Sequence, residues 1–227
     1  MSLPAGEIER KRPARSRGDA GSSTPLELTT CHETNEIGAT SGHMPHITLP
    51  AHRPGISALM DAYPETEKPL NAFAEVLMRG PSSLTPAERE IIATFVSHGN
   101  ECRFCTACHA AIVRHLLPEQ CGLIDDILTD SGRAPLSGKM RALLVIAGKV
   151  RQDGRLVTTG DVAEARRAGA DDKAIHDTVL ITGAFCMFNR YVDGLATLAP
   201  DDPSVYEQIG ESMATKGYIR PGRKSTA

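Results

Sequence analysis

Three cysteines and a histidine crowd into one short run, Cys102-Arg103-Phe104-Cys105-Thr106-Ala107-Cys108-His109, preceded by Asn100-Glu101. On a helix, positions 102, 105 and 109 fall at about 0°, 300° and 340°, a single stripe along the axis. Cys102 would open that helix, where unpaired backbone N–H groups and the macrodipole favour a thiolate. Cys105 follows one turn further in, with His109 four residues beyond it. A base stacked beside a thiol, with a second thiol one turn away, is what reversible dithiol–disulfide chemistry requires. Two arguments bear on which thiol attacks. His109 marks Cys105 as the activated one, whereas exposure at the helix start marks Cys102 as the one that meets an external reductant.

Three other readings compete. Cys105-Thr-Ala-Cys108-His109 matches the Cys-x-x-Cys-His haem-attachment pattern. Covalent attachment of that kind usually takes place outside the cytoplasm, however, and the first residues, MSLPAGEIERKRPARSRGDA, carry charge without an apolar stretch. A structural zinc site would usually draw ligands from two chain segments. Here Cys108 lies about 100° around the helix from His109, so the four groups cannot converge. The reading as buried thiols suits Cys121 and Cys186, and Cys108 as well, because free cysteine is commonly a core residue. It leaves the histidine of the 102/105/109 stripe unexplained. Neither a metal nor a cofactor is therefore expected.

The elements that must hold this cluster read as a series of helices. Residues 1–45 are rich in Gly, Ser, Thr, Pro and charge and have no period, so they are expected to be a disordered extension; a start codon placed upstream of Met44 would also account for residues 1–43. Short helices are predicted over 55–62 and 69–79. Thr85-Pro86-Ala87-Glu88 is a helix-start signature, with Thr at the N-cap, Pro first and Glu third; that helix runs to His98 and stops at Gly99-Asn100. The cysteine helix ends before Pro118. Further helices are predicted over 119–129, 137–151, 159–168 (closed by Gly169), 172–198 and 203–215. No segment alternates apolar and polar residues over a useful length, so the class is all-α.

Composition narrows the partners. The 25 basic and 28 acidic residues give a net charge of −3, and there is no Trp with only 5 Phe and 4 Tyr. That argues against a nucleic-acid groove, an anionic membrane surface or a stacking platform. No run approaches the roughly 18–20 apolar residues of a membrane helix. The cytoplasm is the expected compartment, where thiols stay reduced unless they serve redox chemistry or metal binding.

At these residues the sequence resembles the alkylhydroperoxidase D and carboxymuconolactone decarboxylase-like superfamily, in its peroxidase-related branch. The family pattern is a Glu, eleven residues, then Cys-x-x-Cys-x-x-x-His, met here by Glu90, Cys102, Cys105 and His109. Phe104, Ser97, Asn100 and Phe188-Asn189-Arg190 also look like this branch. The likeness spans residues 46–217 as one domain, leaving the extension and a short tail, 218–227, outside. It implies a helical fold that packs into trimers or hexamers. It also implies a thiol-dependent peroxidase or disulfide reductase of antioxidant defence. In such an enzyme Cys102 and Cys105 cycle between dithiol and disulfide, and Glu90 and His109 relay protons. The substrate would be a peroxide or a partner disulfide, and the partner a thiol reductant or a peroxiredoxin. The alternative is a non-enzymatic thiol sensor or an adaptor to a peroxiredoxin. The best-known alkylhydroperoxidase D proteins carry a second His where this chain has Phe104. The decarboxylase branch lacks the cysteine pair, which disfavours lactone decarboxylation. Periodicity alone would leave Glu90 on a solvated face with Thr94 and Ser97, opposite Ile91, Ile92, Phe95 and Val96; only the family spacing promotes it. His98 and His115 are weaker candidates, read respectively as a turn residue near the site and a cation suited to a helix C-terminus.

Overall fold

The structure, a computed structural model, describes residues 44–219; nearly all of the predicted extension and the last eight residues lie outside it. Among the described residues there are nine α-helices and no strand: α1 (Ile56–Ala62), α2 (Pro64–Arg79), α3 (Pro86–Gly99), α4 (Arg103–Leu116), α5 (Leu123–Asp130), α6 (Gly138–Gln152), α7 (Thr159–Arg167), α8 (Asp172–Gly194) and α9 (Pro203–Lys216).

Local chemistry sets most boundaries. Thr85 accepts from the Glu88 amide while Glu88 caps Thr85 in return, and Pro86 fills the first position, where no N–H is needed. Ser137, Asp171 and Asp202 cap α6, α8 and α9 in the same manner, each through a side-chain oxygen. Three boundaries differ from expectation. α5 begins at Leu123 rather than 119, because Pro118–Gln120 forms a separate 3-10 turn ahead of it. α2 begins at Pro64 rather than Pro69, which lies inside the helix. Pro64 itself supplies the preset φ of a first turn, and Glu65 and Glu67 complement the dipole there, so the turn forms ahead of Pro69. α8 stops at Gly194 rather than running to 198. Ala196 adopts φ 47°, and the Thr197 and Ala196 amides reach back to the carbonyls of Val192 and Asp193 at 3.2 and 3.0 Å. This crossed pair of bonds is the Schellman closure, which stops the helix.

The helix α3 runs through the middle and packs against α4, α6 and α8. Ile92, Val96, Leu143, Ile146 and Ile181 are wholly buried at these contacts. The outer helix α9 lies close along α4: a Cβ at Gly210 would sit 2.7 Å from the Ala111 Cβ, so only glycine admits this approach. No helix among the described residues is long and apolar enough to cross a membrane.

Candidate active site

The turn between α3 and α4 places the thiols. The Glu101 amide donates to the His98 carbonyl and the Cys102 amide to the Ser97 carbonyl, at 2.9 and 3.0 Å, with Glu101 in the left-handed region at φ 60°. Cys102 is therefore both the residue that completes the Schellman closure of α3 and the N-cap of α4. The Asn100 amide group donates to Asn189 Oδ1 at 2.9 Å, and Asn189 donates to Ser97 Oγ at 3.0 Å, which pins the turn to α8. These are residues that carried the family likeness, and this is what they do.

Cys102 is wholly buried, in a cluster with Val192 and Tyr206, whereas Cys105 is 5 % exposed and lines a cavity of about 450 Å³. The expectation that Cys102 is the more exposed thiol is thus reversed: the turn that makes it an N-cap also faces it inward, against α8 and α9. Its place at a helix start does not make it a thiolate either. The Cys105 sulfur hydrogen-bonded beside it, burial and the charge of Cys105 together hold the Cys102 thiol far above its ordinary range. Cys108 is 3 % exposed, and burial pushes its thiol up as well. Cys186 is half-buried and accepts from Asn100 at 3.5 Å.

Glu90 corrects the periodicity argument. It is wholly buried, because α4 and the segment after α9 close over the polar face of α3. Thr94 on that face donates to the Glu90 carbonyl at 2.8 Å, so the face is satisfied internally rather than by water. The Glu90 carboxylate meets His109 Nδ1 through Oε2 at 2.7 Å, and meets both Arg79 at 2.7 Å and the Tyr218 hydroxyl at 2.8 Å through Oε1. Burial alone would raise its carboxyl. The His109 hydrogen bond, the charges of His109 and Arg79, and Tyr218 outweigh burial and hold it below the ordinary carboxylate value. Glu90 is ionised, so it accepts, and the imidazole donates through Nδ1. The ring is wedged edge-on against Phe185, 4.6 Å between centroids.

Sequence reasoning did not find Arg79 or Tyr218. Arg79 was only the last residue of the helix predicted over 69–79, and Tyr218 fell in the segment taken as a tail; the structure packs it against the core. A signal was there: Gly217 followed by Tyr218-Ile219 is the glycine-then-apolar pattern with which a chain turns back on a helix it has just ended. His98 is exposed and borders a separate open groove rather than the cavity, and His115 lies 3.2 Å from the Glu207 carbonyl of α9. Among the described residues no group of three or more His, Cys, Asp or Glu side chains could hold a metal ion.

The carboxymuconolactone decarboxylase family model matches residues 64–117, the span that carries Arg79, Glu90, both cysteines and His109. An uncharacterised peroxidase-related protein of Silicibacter sp. TM1040 is 30 % identical, with a TM-score of 0.60 over 66 % of this chain and 78 % of that one. The chain belongs to the alkylhydroperoxidase D and carboxymuconolactone decarboxylase-like superfamily. A second peroxidase-related protein, from Ralstonia eutropha JMP134 and described as an alkylhydroperoxidase AhpD core, is 25 % identical with a TM-score of 0.62, covering 70 % of this chain and 81 % of that one. A search of curated proteins found no match. Membership of this superfamily carries the all-helical class and a peroxidase-related setting. Tyr218 lies outside the matched span.

Proposed function

We propose that this protein is a thiol-dependent peroxidase or disulfide reductase of antioxidant defence. Its redox pair is Cys102 and Cys105, and Glu90 and His109 relay the proton. One observation carries the reading: Cys105 and His109 share the wall of one largely apolar cavity, and His109 is bonded behind to a buried, ionised carboxylate. The arrangement follows the logic of a nucleophile, a base and a carboxylate that orients the base.

Cys105 gives its proton to His109, and the thiolate attacks the terminal oxygen of a peroxide. The O–O bond breaks, Cys105 becomes a sulfenic acid, and the leaving alkoxide takes a proton to depart as an alcohol. Cys102 then attacks the sulfenic sulfur, and water leaves as the disulfide forms. An external dithiol restores both thiols and is itself oxidised. The proposal includes a cytoplasmic setting, which keeps the pair reduced between turnovers, and a homo-oligomeric assembly.

The test is peroxide consumption with a defined dithiol reductant, measured alongside the mass of the protein before and after one equivalent of peroxide. Loss of two alkylatable thiols, mapping to Cys102 and Cys105, with sustained consumption supports the enzyme. Loss of both thiols without turnover favours the sensor or adaptor, and loss of neither rejects the redox pair.

A further inference from the structure

The segment after α9 is held more firmly than a chain end requires. The Gly217 amide closes α9 on the Met213 carbonyl at 3.1 Å, and Gly217 then turns at φ 72°. A Cβ there would also stand 2.5 Å from Glu75 Oε2, so the backbone conformation favours glycine and any side chain would push the Glu75 carboxylate aside. The same carboxylate oxygen accepts the Tyr218 amide at 2.6 Å. One turn further along α2, the Arg79 guanidinium lies 5.1 Å from the centre of the Tyr218 ring while bonding Glu90. Glu75 and Arg79, four apart on one helix face, thus grip the backbone and the ring of the same residue.

That grip has a target. The Tyr218 ring lies nearly parallel to the His109 ring, 15° between planes and 6.3 Å between centroids. Its hydroxyl is 2.8 Å from Glu90 Oε1 and 3.5 Å from His109 Nδ1. Burial first, and the charge of Glu90 second, hold the phenol well above its ordinary value, so it is a donor at every working pH. With Oε1 taken by Arg79 and Tyr218, only Oε2 is left for the imidazole, and the carboxylate cannot swing away from it. The same segment, Gly217 to Ile219, walls the cavity that holds Cys105.

We propose that Tyr218 is a positioning residue for the Glu90–His109 pair, and that seating the Gly217–Ile219 segment closes the cavity wall and aligns the relay in one movement. The proposal rests on the reading that His109 serves the Cys105 thiol. Glu75, Arg79, Glu90 and His109 lie in the family-matched span 64–117, whereas the Gly217–Ile219 segment that they hold lies outside it.

The experiment compares full-length wild type, Tyr218→Phe, Glu75→Ala and His109→Gln. The readouts are the pH profile of Cys105 alkylation, resolved by mass, and the pH profile of peroxide turnover. Tyr218→Phe keeps the ring and removes one donor from Glu90, so the carboxyl rises and the acid limb of both profiles moves up. A donor to a charged group corresponds to about one unit or more, and Arg79 on the same oxygen reduces this to about half a unit. KM should move less than about twofold. Glu75→Ala touches neither Glu90 nor His109; it loosens the seat, raises KM and shifts the limb the same way. Acid limbs that coincide with wild type in both Tyr218→Phe and Glu75→Ala, while His109→Gln differs, would overturn the positioning role alone. An alkylation profile of His109→Gln identical to wild type would instead reject the relay reading beneath it.

Discussion

The two thiols of the pair stand one helical turn apart and are surrounded by different chemistry. Cys105 faces a cavity and has an imidazole on its own helix face, backed by a carboxylate that three groups hold ionised. Cys102 faces packed side chains, and its proton is held in place by burial and by the neighbouring sulfur. Of the two, it is Cys105 that lines the cavity. The spacing Cys-x-x-Cys is symmetric on paper; the turn before it and the cavity after it divide the work.

The sharpest way to break this asymmetry is to remove each sulfur in turn. Cys105→Ser should lower peroxide turnover roughly a thousandfold or more, as loss of a nucleophile does. Cys102→Ser should still oxidise once, leaving a Cys105 sulfenic acid that a carbon nucleophile traps and mass spectrometry locates. A trapped sulfenic acid on Cys102 in the Cys105→Ser protein would invert the assignment.

A smaller but still large effect attends Glu90. Glu90→Gln leaves the partly buried Arg79 opposite a neutral amide, and loss of one partner of a buried pair costs about 3–5 kcal/mol, an upper bound here. The folded Glu90 carboxyl lies below its unfolded value, so its contribution is fully present above about pH 4.3, the unfolded reference, and is lost as pH falls through the folded value. Melting temperatures of wild type and Glu90→Gln should differ most at neutral pH and converge on acidification. A gap independent of pH would mean that the carboxylate is not what the pocket stabilises.

The smallest effect concerns the turn. Glu101 occupies a left-handed position that α7 fills with Gly169, at φ 60° and 95° respectively. Glu101→Gly should stabilise the fold by about 0.5–1 kcal/mol, read from urea midpoints. An unchanged midpoint would mean that the Glu101 side chain offsets the strain.

Much of this was legible beforehand, for physical reasons. Capping chemistry is local, so the start of α3 at Thr85-Pro86 and the closure of α7 at Gly169 could be read from a few residues. That Cys105 and His109 share a face follows from helical geometry, whereas Cys102 stands at the N-cap, outside the helix, and does not line the cavity with them. Burial of Glu90 could not be read, because whether a polar face meets water depends on what folds over it, and here the covering residues come from α4 and from position 218. The exposure of Cys102 was misjudged for the same reason: helix position is local, whereas the direction in which the turn presents a side chain is set by α8 and α9. Tyr218 stands furthest from the motif in sequence and touches its carboxylate directly.

The closure of α3 also has a dynamic consequence. The amides of Asn100, Glu101 and Cys102 all donate to carbonyls of α3, those of Val96, His98 and Ser97. They cannot be released one at a time without undoing the start of α4, so their exchange with solvent deuterium should proceed at a common rate, set by one cooperative opening rather than by fraying. Cys102 is part of that unit. Linking its sulfur to Cys105 ties the opening segment to the first turn of α4, and the redox state of the pair becomes readable as the exchange lifetime of three backbone amides that carry no sulfur chemistry of their own.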